Sequence, residues 1–339
     1  MEATSNKSTL LPSKLGDDSP HESHDPCQSY PCLLICDELD DGMQRQTFYS
    51  ISDKRCHTSI IPELHNKNIV WCNPNDSEWM LVEDAELYDH FLWNVVSRER
   101  IQLPSVGDFG YYDCAISSAP TDPNCHIVFS GDDNVILYSK LGDDEYSRYE
   151  FEESTEELRH LASIGGKIYG TLSRRLVVAL EFGEEKSGLR LNPILGGARV
   201  PPVPPHIHQL RIYIVGCGDE VLLVERHSVG RSEFEVSNFA IYKADFTSGI
   251  KEWTKMDDGI GPHTIFLDNN GRGVCCPTAD PAINKNSIYY LNDDRYIYVW
   301  DLEKQSVTKH LPSSSVVDDD NCELQWVMLP AGSVPHKLA

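Results

Sequence analysis

The feature that most limits the fold of this 339-residue chain is a succession of short apolar runs separated by turn residues. The runs are rich in Val, Ile, Tyr and Phe, and they include residues 32–36, 47–51, 125–129, 135–138, 221–224, 239–242, 287–291 and 296–300. Runs of this length and composition are typical of β-strands, and their number favours a sandwich, a barrel or a propeller. Helical periodicity is nearly absent, since the best helical candidate, residues 152–161, carries only Leu158 and Leu161 as an apolar stripe.

Tight polar turns join several of these runs in pairs. Three such turns are Asp132-Asp133-Asn134, Ser173-Arg174-Arg175 and Asn292-Asp293-Asp294, each with an apolar run on either side. A short polar turn between two apolar strands is the pattern of a β-hairpin. We therefore expect consecutive runs to pair as antiparallel neighbours.

Equivalent positions at the ends of the second hairpin strands recur along the chain. They are Asp53, Asn94, Lys140, Glu181, Asp245 and Asp301, with successive separations of 41, 46, 41, 64 and 56 residues. A period near 50 with four short strands in each unit is typical of propeller blades. The sequence therefore predicts an all-β, kelch-like β-propeller with six blades, and the unequal separations leave five or seven open.

The domain organisation follows from the need to bury both faces of each blade. One four-stranded blade cannot do so alone, so we predict that residues 30–330 form a single propeller domain. Its ends should meet, with the strand near 32–36 beside the strand near 324–328, because an open ring exposes sheet edges. Residues 1–29 are interpreted as a disordered acidic and polar tail and residues 331–339 as a C-terminal tail. The proline run 201–205 is interpreted as a stiff connector between two blades.

The charge balance argues against two classes of partner. The chain carries 53 acidic and 29 basic residues, a formal net charge of −24. A field of that sign repels phosphate backbones and anionic lipids, so neither nucleic acid nor a membrane surface is an expected partner. The same charge is also compatible with a simple role in solubility or with attraction of a basic protein.

The N-terminal residues and the cysteines indicate the cellular compartment in which the protein is expected. Residues 1–31 lack a basic segment followed by an apolar one, as a signal peptide would have. The eleven cysteines have no framework spacing. We therefore expect a cytoplasmic or nuclear protein, or both, with reduced, structural thiols.

Motifs for common catalytic and cofactor chemistry are absent from the sequence. It contains no Gly-rich phosphate loop, no His-Glu-x-x-His helix and no Gly-x-Ser-x-Gly nucleophile elbow. Sequence distance does not reveal how far apart two carboxylates lie in space, so a propeller-type hydrolase or sugar-active enzyme remains the alternative. The sequence assigns no catalytic, cofactor-binding or metal-ligating residue and implies no cofactor.

Four local patterns have a functional and a structural interpretation, and the structural one is preferred for each. Gly165-Gly166 is interpreted as a turn rather than a ligand loop. Cys275-Cys276 is interpreted as a strand segment with at least one buried thiol rather than a metal pair or thiol switch. His206 and His208 lack a third ligand and are interpreted as surface residues. The acidic clusters around residues 143–145, 152–157 and 318–320 lack calcium-loop spacing and are interpreted as solvated loops.

The order of several short motifs resembles the plant F-box-associated β-propeller family, also known as domain of unknown function 295 or the kink-suppressor-type propeller. The resemblance covers residues 31–330. It rests on these segments: Pro31-Cys32-Leu33-Leu34, Phe48-Tyr49-Ser50-Ile51-Ser52-Asp53, Glu78-Trp79-Met80-Leu81, Leu92-Trp93-Asn94, Ile101-x-Leu103-Pro104, Ser118-x-Pro120-Thr121-Asp122-Pro123-Asn124-Cys125, Gly165-Gly166-Lys167-Ile168-Tyr169, Glu220-Val221-Leu222-Leu223-Val224, Phe239-x-Ile241-Tyr242-Lys243-x-Asp245-Phe246, Phe266-Leu267 and Asn286-Ser287-Ile288-Tyr289-Tyr290.

The resemblance implies a non-enzymatic protein–protein interaction module, like the propeller with which F-box ubiquitin-ligase receptors capture substrates. In such receptors a helical F-box of about 40–50 residues docks onto the adaptor Skp1, and no F-box is recognisable in this sequence. Residues 1–28 offer only Leu10, Leu11 and Leu15 as apolar anchors, beside the helix breakers Pro12 and Pro20. We therefore expect an unknown protein partner on the propeller surface and no Skp1 binding by this chain alone. A degenerate family copy with little function is a further possibility.

Overall fold

The computed structural model describes residues 31–328 with short gaps. The internal residues outside the description are 39–43, 53, 60, 73–77, 85–86, 88, 132–133, 153–155, 173–174, 184–187, 203–204, 206, 208, 230–235, 247–251, 279, 293 and 313–322. The predicted tails, His206, His208 and the acidic cluster 318–320 therefore lie outside the described residues.

The described residues form six sheets around a central channel, and the first half of the chain supplies three of them. From the channel outward, blade 1 consists of β25 (Glu323–Met328), β1 (Pro31–Glu38), β2 (Gln44–Ser50) and β3 (Arg55–Ser59). Blade 2 consists, in the same direction, of β4 (Lys67–Cys72), β5 (Trp79–Asp84), β6 (His90–Asn94) and β7 (Arg100–Gln102). Blade 3 consists of β8 (Tyr111–Ile116), β9 (His126–Gly131), β10 (Val135–Lys140) and β11 (Ser147–Glu150).

The second half of the chain supplies the other three blades. From the channel outward, blade 4 consists of β12 (Arg159–Ile164), β13 (Lys167–Leu172), β14 (Leu176–Phe182) and β15 (Leu189–Pro193). Blade 5 consists of β16 (Gln209–Cys217), β17 (Glu220–Ser228), β18 (Val236–Ala244) and β19 (Trp253–Lys255). Blade 6 has five strands, in the order β21 (Gly273–Pro277), β20 (His263–Leu267), β22 (Ser287–Leu291), β23 (Ile297–Asp301) and β24 (Ser306–His310).

The chain is therefore an all-β, six-bladed propeller, as the sequence predicts. Five repeat positions can be checked, and each lies in or next to the second strand from the outer edge of a different blade: Asn94, Lys140, Glu181, Asp245 and Asp301. The three predicted hairpins are confirmed as well, since β9 pairs with β10, β13 with β14 and β22 with β23.

The prediction that helix is nearly absent is confirmed, and the best helical candidate, residues 152–161, ends in a strand. Residues 159–161 open β12, where Leu158 and Leu161 pack into the core between blades 3 and 4. Two short 3-10 turns, Pro62–Leu64 and Ile194–Gly197, are the helical segments of the described part of the chain. None of the described helices has the length and apolar character needed to cross a membrane.

The ring closes by pairing its two ends, as expected. Strand β25 is the innermost strand of blade 1 and pairs antiparallel with β1, so that Leu33 lies opposite Trp326. The C-terminal strand thus completes the sheet that the N-terminal strands begin. This pairing leaves neither end of the described chain as an open inner edge.

The hydrophobic core consists of six clusters, and each lies between two neighbouring blades. Strand β1 illustrates how the sequence produces this arrangement. Leu33 and Ile35 face blade 6, whereas Leu34 faces blade 2, and each is at most 1% exposed. Because successive strand residues point to opposite faces, a run that is apolar at every position is buried on both sides. The continuous apolar runs are therefore the strands that blade stacking requires.

Blade 6 departs from the four-stranded pattern in a way that shapes the central channel. Strand β20 is inserted between the inner strand β21 and β22, and it runs parallel to β22. Its connection to β21 is a tight hairpin whose tip, residues 268–272, projects at the end of the channel where the inner strands begin. We call this end the upper face and the opposite end the lower face.

Candidate binding surface at the channel mouth

The hairpin tip of blade 6, residues 268–272, is ordered by its first side chain. One carboxylate oxygen of Asp268, Oδ1, accepts hydrogen bonds from the backbone N–H groups of Asn270 and Arg272, both at 2.9 Å. The Asp268 N–H donates to the Arg272 carbonyl at 3.0 Å, which closes the loop. Gly271 has a φ of 84°, a left-handed conformation that glycine adopts without strain. We call this tip the plug.

Arg272 ties the plug to the opposite side of the channel. Its Nη1 donates to the Val70 carbonyl in blade 2 at 2.8 Å. Its charge also acts on two buried carboxylates, Asp113 of blade 3 and Asp268 of the plug, which are 5% and 4% exposed. An arginine between two buried acids offsets part of the cost of removing all three charges from water.

Burial raises the pKa of Asp113 to about 6. The positive charge of Arg272 and two backbone donors pull this pKa down; the Leu161 N–H lies 2.6 Å from Oδ2 and the Cys114 N–H 2.9 Å from Oδ1. Burial likewise raises the pKa of Asp268, again against the influence of Arg272. Desolvation thus exceeds the attraction of the arginine at both carboxylates.

Blades 1, 4 and 5 also contact the plug or the end of β20. Arg211 of blade 5 donates from Nη1 to the Asn269 carbonyl at 3.0 Å. Trp326 of blade 1 donates from its indole nitrogen to the Leu267 carbonyl at 2.9 Å. A Cβ atom at Gly271 would lie 3.3 Å from Nδ1 of His160 in blade 4, so no larger residue fits there without displacing that ring. The mouth is therefore a surface built by all six blades rather than an open pore.

The histidine beneath the plug is held in its neutral form. Burial lowers the pKa of His160 to about 4, and the charge of the adjacent Arg159 acts in the same direction. His160 also has a φ of 56°, which non-glycine residues adopt only where the surroundings impose it.

A cleft of about 450 Å³ lies between the plug and blades 2 and 3. Six of the residues that line it are Asn68, Glu83, Phe109, Tyr111, Asn270 and Arg272. These six residues comprise two amide side chains, two aromatic rings and one charge of each sign. Such a set can hydrogen-bond a peptide backbone and pack against its side chains.

Tyr111 is held in the cleft wall by a hydrogen bond and by two ring contacts. Its hydroxyl lies 2.7 Å from Nε2 of His90, and its ring makes edge contacts with His90 and Phe129 at 5.2 and 5.0 Å. Burial lowers the pKa of His90, although the nearby Glu83 acts in the opposite direction. A neutral His90 next to the hydroxyl gives the aromatic wall a preorganised orientation.

A smaller recess of about 280 Å³ opens on the same face at blade 5. Arg211 and Arg226 line it together with Gln209. Arg226 is 2% exposed, donates to the Leu291 carbonyl of blade 6 at 3.2 Å and lies over the Tyr290 ring at 4.9 Å. Inter-blade polar contacts are thus a general feature of the upper face.

The structure places the remaining sequence candidates as follows. Gly165 and Gly166 form the turn between β12 and β13, with φ values of 58° and 76°, as expected. Cys275 and Cys276 lie in β21, and Cys276 is 4% exposed, which confirms the prediction of a strand with a buried thiol. Residues 143–145 are exposed in the turn after β10. Within the described ranges, no three His, Cys, Asp or Glu side chains are grouped to hold a metal ion.

The plug and the cleft were not predicted from the sequence. One signal for the plug was available, because Asn-Gly between two apolar segments is a strong hairpin pattern, and Asn270-Gly271 lies between residues 264–267 and 273–276. The partners of the plug carry no such signal. Val70, Asp113 and Arg211 come from three other blades, and only the closed ring brings them to Arg272 and Asn269.

Comparison with known proteins identifies one family and a general fold. The model of the family described as "KIB1-4 beta-propeller" matches residues 48–310, more than three quarters of the chain. No curated protein matches the chain.

Two solved structures illustrate the similarity of fold. TolB from Acinetobacter baumannii has a TM-score of 0.44 at 13% identity, over 88% of this chain and 66% of that one, so the chain spans just under two thirds of TolB. The Cps50 (Swd1) β-propeller domain from Myceliophteria thermophila has a TM-score of 0.39 at 8% identity, over 82% and 79%. At these scores neither structure carries an argument about the function of this chain.

Proposed function

Because the chain belongs to the KIB1-4 β-propeller family, we propose that it is a non-enzymatic module that binds a segment of another protein in the cleft beside the plug. The single observation that carries the proposal is the cleft itself. Its exposed amides, Asn68 and Asn270, stand next to the fixed ring of Tyr111. A peptide needs both kinds of contact, since amides pair with its backbone and aromatic rings bury its side chains.

The arrangement of carboxylates supports binding over hydrolysis. A glycosidase uses two carboxyl groups, about 5–10 Å apart, that face one substrate cavity. Among the described residues that line the cleft, Glu83 is the one carboxylate. Asp113 and Asp268 are buried beneath Arg272, where their oxygens accept bonds from backbone N–H groups. These two acids support the plug rather than face the cleft.

The broader role that we propose follows the resemblance to F-box-associated propellers. In this role the propeller captures a protein in the cytoplasm, the nucleus or both, as the substrate-binding propeller of a ubiquitin-ligase receptor does.

Affinity capture from native tissue, followed by binding of the identified protein to the purified chain, tests the proposal. Asn270→Lys and Asn68→Lys each place a long charged side chain in the cleft. Both positions are exposed, so folding should be unaffected. We expect each variant to weaken the affinity at least about tenfold, which corresponds to about 1.4 kcal/mol.

Asn124→Lys is the matched control because Asn124 is exposed on the lower face, between β8 and β9. It makes the same chemical change away from the cleft, and the affinity should stay within twofold of the original. Binding that both cleft variants leave intact would place the partner site elsewhere. Turnover of a glycoside or ester by the purified chain, abolished by Glu83→Gln, would favour the enzymatic alternative.

A further inference from the structure

Two cysteines meet at the channel wall between blades 5 and 6. The inner strands β16 and β21 run side by side, and a Cβ atom at Gly273 would lie 2.7 Å from Cγ2 of Val215. Two residues further along each strand are Cys217 and Cys275. Both thiols pack against the core between blades 5 and 6, and they form a hydrogen bond with each other.

The neighbouring Cys276 provides a built-in comparison. It lies on the other side of β21, in the core between blades 6 and 1, and burial raises the pKa of its thiol to about 12. Cys217 differs in exposure and in the direction of its pKa shift. It is half-buried at the end of β16, and its pKa is lowered by the hydrogen bond from Cys275.

We propose that Cys217 and Cys275 are an oxidisable pair that forms an intrachain disulfide between the innermost strands of blades 5 and 6 when the protein meets a hydroperoxide. The site is independent of the cleft and of the proposed binding function. In the structure both thiols are free. The structure therefore describes the reduced form.

The chemistry requires one peroxide molecule for each pair. The Cys217 thiolate attacks a peroxide oxygen, the O–O bond breaks, and Cys217 becomes a sulfenic acid while the peroxide is reduced to water or an alcohol. The Cys275 sulfur then attacks the sulfenic sulfur and displaces hydroxide, which leaves as water with the Cys275 proton. The two thiols thus lose two electrons, which the peroxide accepts, and become one disulfide.

Two properties of the pair favour this sequence of steps. The thiolate is the nucleophile in thiol oxidation, and Lys243 adds to the lowering of the Cys217 pKa. A resolving thiol already in hydrogen-bonding contact with Cys217 intercepts the sulfenic acid before a second peroxide does. The resulting crosslink joins covalently two blades that otherwise contact each other through side-chain packing and hydrogen bonds.

Hydrogen peroxide added to the purified, reduced chain, followed by non-reducing peptide mapping, tests the proposal. We expect a peptide containing Cys217 to be linked to the peptide containing Cys275 and Cys276, with fragmentation placing the bond on Cys275. A thiol reductant should reverse the linkage. The oxidised protein should melt higher, on the order of 5 °C, because the crosslink constrains the unfolded chain.

Two variants distinguish the pair from its neighbour. Cys276→Ser should keep the linkage, whereas Cys275→Ser should lose it and leave Cys217 as a sulfenic acid that dimedone traps. If a variant fails to fold, fragmentation of the wild-type linked peptide still assigns the bond. The absence of any link, a vicinal bond between Cys275 and Cys276, a link between two chains, or stoichiometric zinc on the reduced protein would each overturn the proposal.

Discussion

The guanidinium of Arg272 donates to the carbonyl oxygen of Val70 at 2.8 Å, although 202 positions separate the two residues in the chain. Arg272 belongs to blade 6 and Val70 to blade 2. The bond therefore links two blades that are separated in the ring by blade 1. Any outward movement of the plug breaks this bond and withdraws the arginine charge from Asp113. The mouth of the propeller is therefore coupled to the integrity of the ring.

Replacement of Arg272 by methionine tests this coupling. Arg272→Met keeps most of the side-chain volume but removes the positive charge that acts on the buried carboxylates of Asp113 and Asp268, and only Asp268 then keeps a second cation, Arg211, nearby. We expect a loss of about 3 kcal/mol in the free energy of unfolding, measured by urea denaturation at pH 7.

The control for this substitution is an arginine with an exposed partner. Arg148 pairs with Glu150 at 2.7 Å, and both side chains are more than half exposed. Arg148→Met should change the free energy of unfolding by less than about 0.5 kcal/mol. Equal effects of the two substitutions would mean that Arg272 is an ordinary surface arginine.

The buried carboxyl of Asp113 predicts a pH dependence with a definite sign. Its pKa is about 6 in the folded protein and about 3.8 in the unfolded chain, so the folded state binds more protons between these values. The stability associated with Asp113 is therefore fully present below pH 4 and is lost as the pH rises to about 6, by an amount on the order of 3 kcal/mol.

Comparison with Asp113→Asn isolates this contribution from the other acids of the chain. The variant loses an acceptor for the N–H of Leu161 or Cys114, so it should be less stable at low pH. Its deficit relative to the original protein should shrink as the pH rises from 4 to 6. A deficit that stays constant or grows over this interval would contradict the raised pKa.

The contrast between strand β1 and the plug shows which parts of the structure can be predicted from the sequence. The run Leu33-Leu34-Ile35 is apolar at every position because it is buried on both faces, and this property is visible in the residues themselves. Blade number was predictable for the same reason, since each blade needs its own set of such runs. The weak stripe of Leu158 and Leu161 in residues 152–161 did not indicate a helix, and both side chains are buried by packing between blades 3 and 4.

The candidate site was not predictable because its residues meet only after the ring has closed. Nothing around Val70 or Asp113 in the sequence distinguishes them from other strand residues. Their role depends on the insertion of β20, which carries the plug over the channel. The positions that form the candidate site are set by topology rather than by local pattern.

His160 predicts a pH dependence of the opposite sign at the same plug. Its pKa is about 4 in the folded protein and 6.5 in the unfolded chain, so the unfolded state binds more protons between these values. The stability associated with a neutral His160 is present above pH 6.5 and is lost as the pH falls to about 4.

His160→Asn removes this titration and tolerates the positive φ, since asparagine adopts that conformation readily. The free energy of unfolding of the variant should improve relative to the original protein as the pH falls from 6.5 to 4. Parallel stability curves for the two proteins would show that His160 is protonated equally in both states.

Of these substitutions, one in the closing strand β25 should cause the largest loss in the free energy of unfolding. Trp326 is 9% exposed, its ring lies 5.3 Å from that of Phe266, and its indole N–H donates to the Leu267 carbonyl at 2.9 Å. Trp326→Ala opens a cavity in the core between blades 6 and 1 and removes the indole donor to the Leu267 carbonyl, so we expect a loss of about 3–5 kcal/mol. Limited proteolysis should then cut first within residues 313–328, because the ring opens at its pairing of chain ends.

Val307→Ala, in the outermost strand of blade 6 at 47% exposure, should change neither stability nor the cleavage pattern. First cleavage in another blade of Trp326→Ala would locate the weakest part of the ring elsewhere.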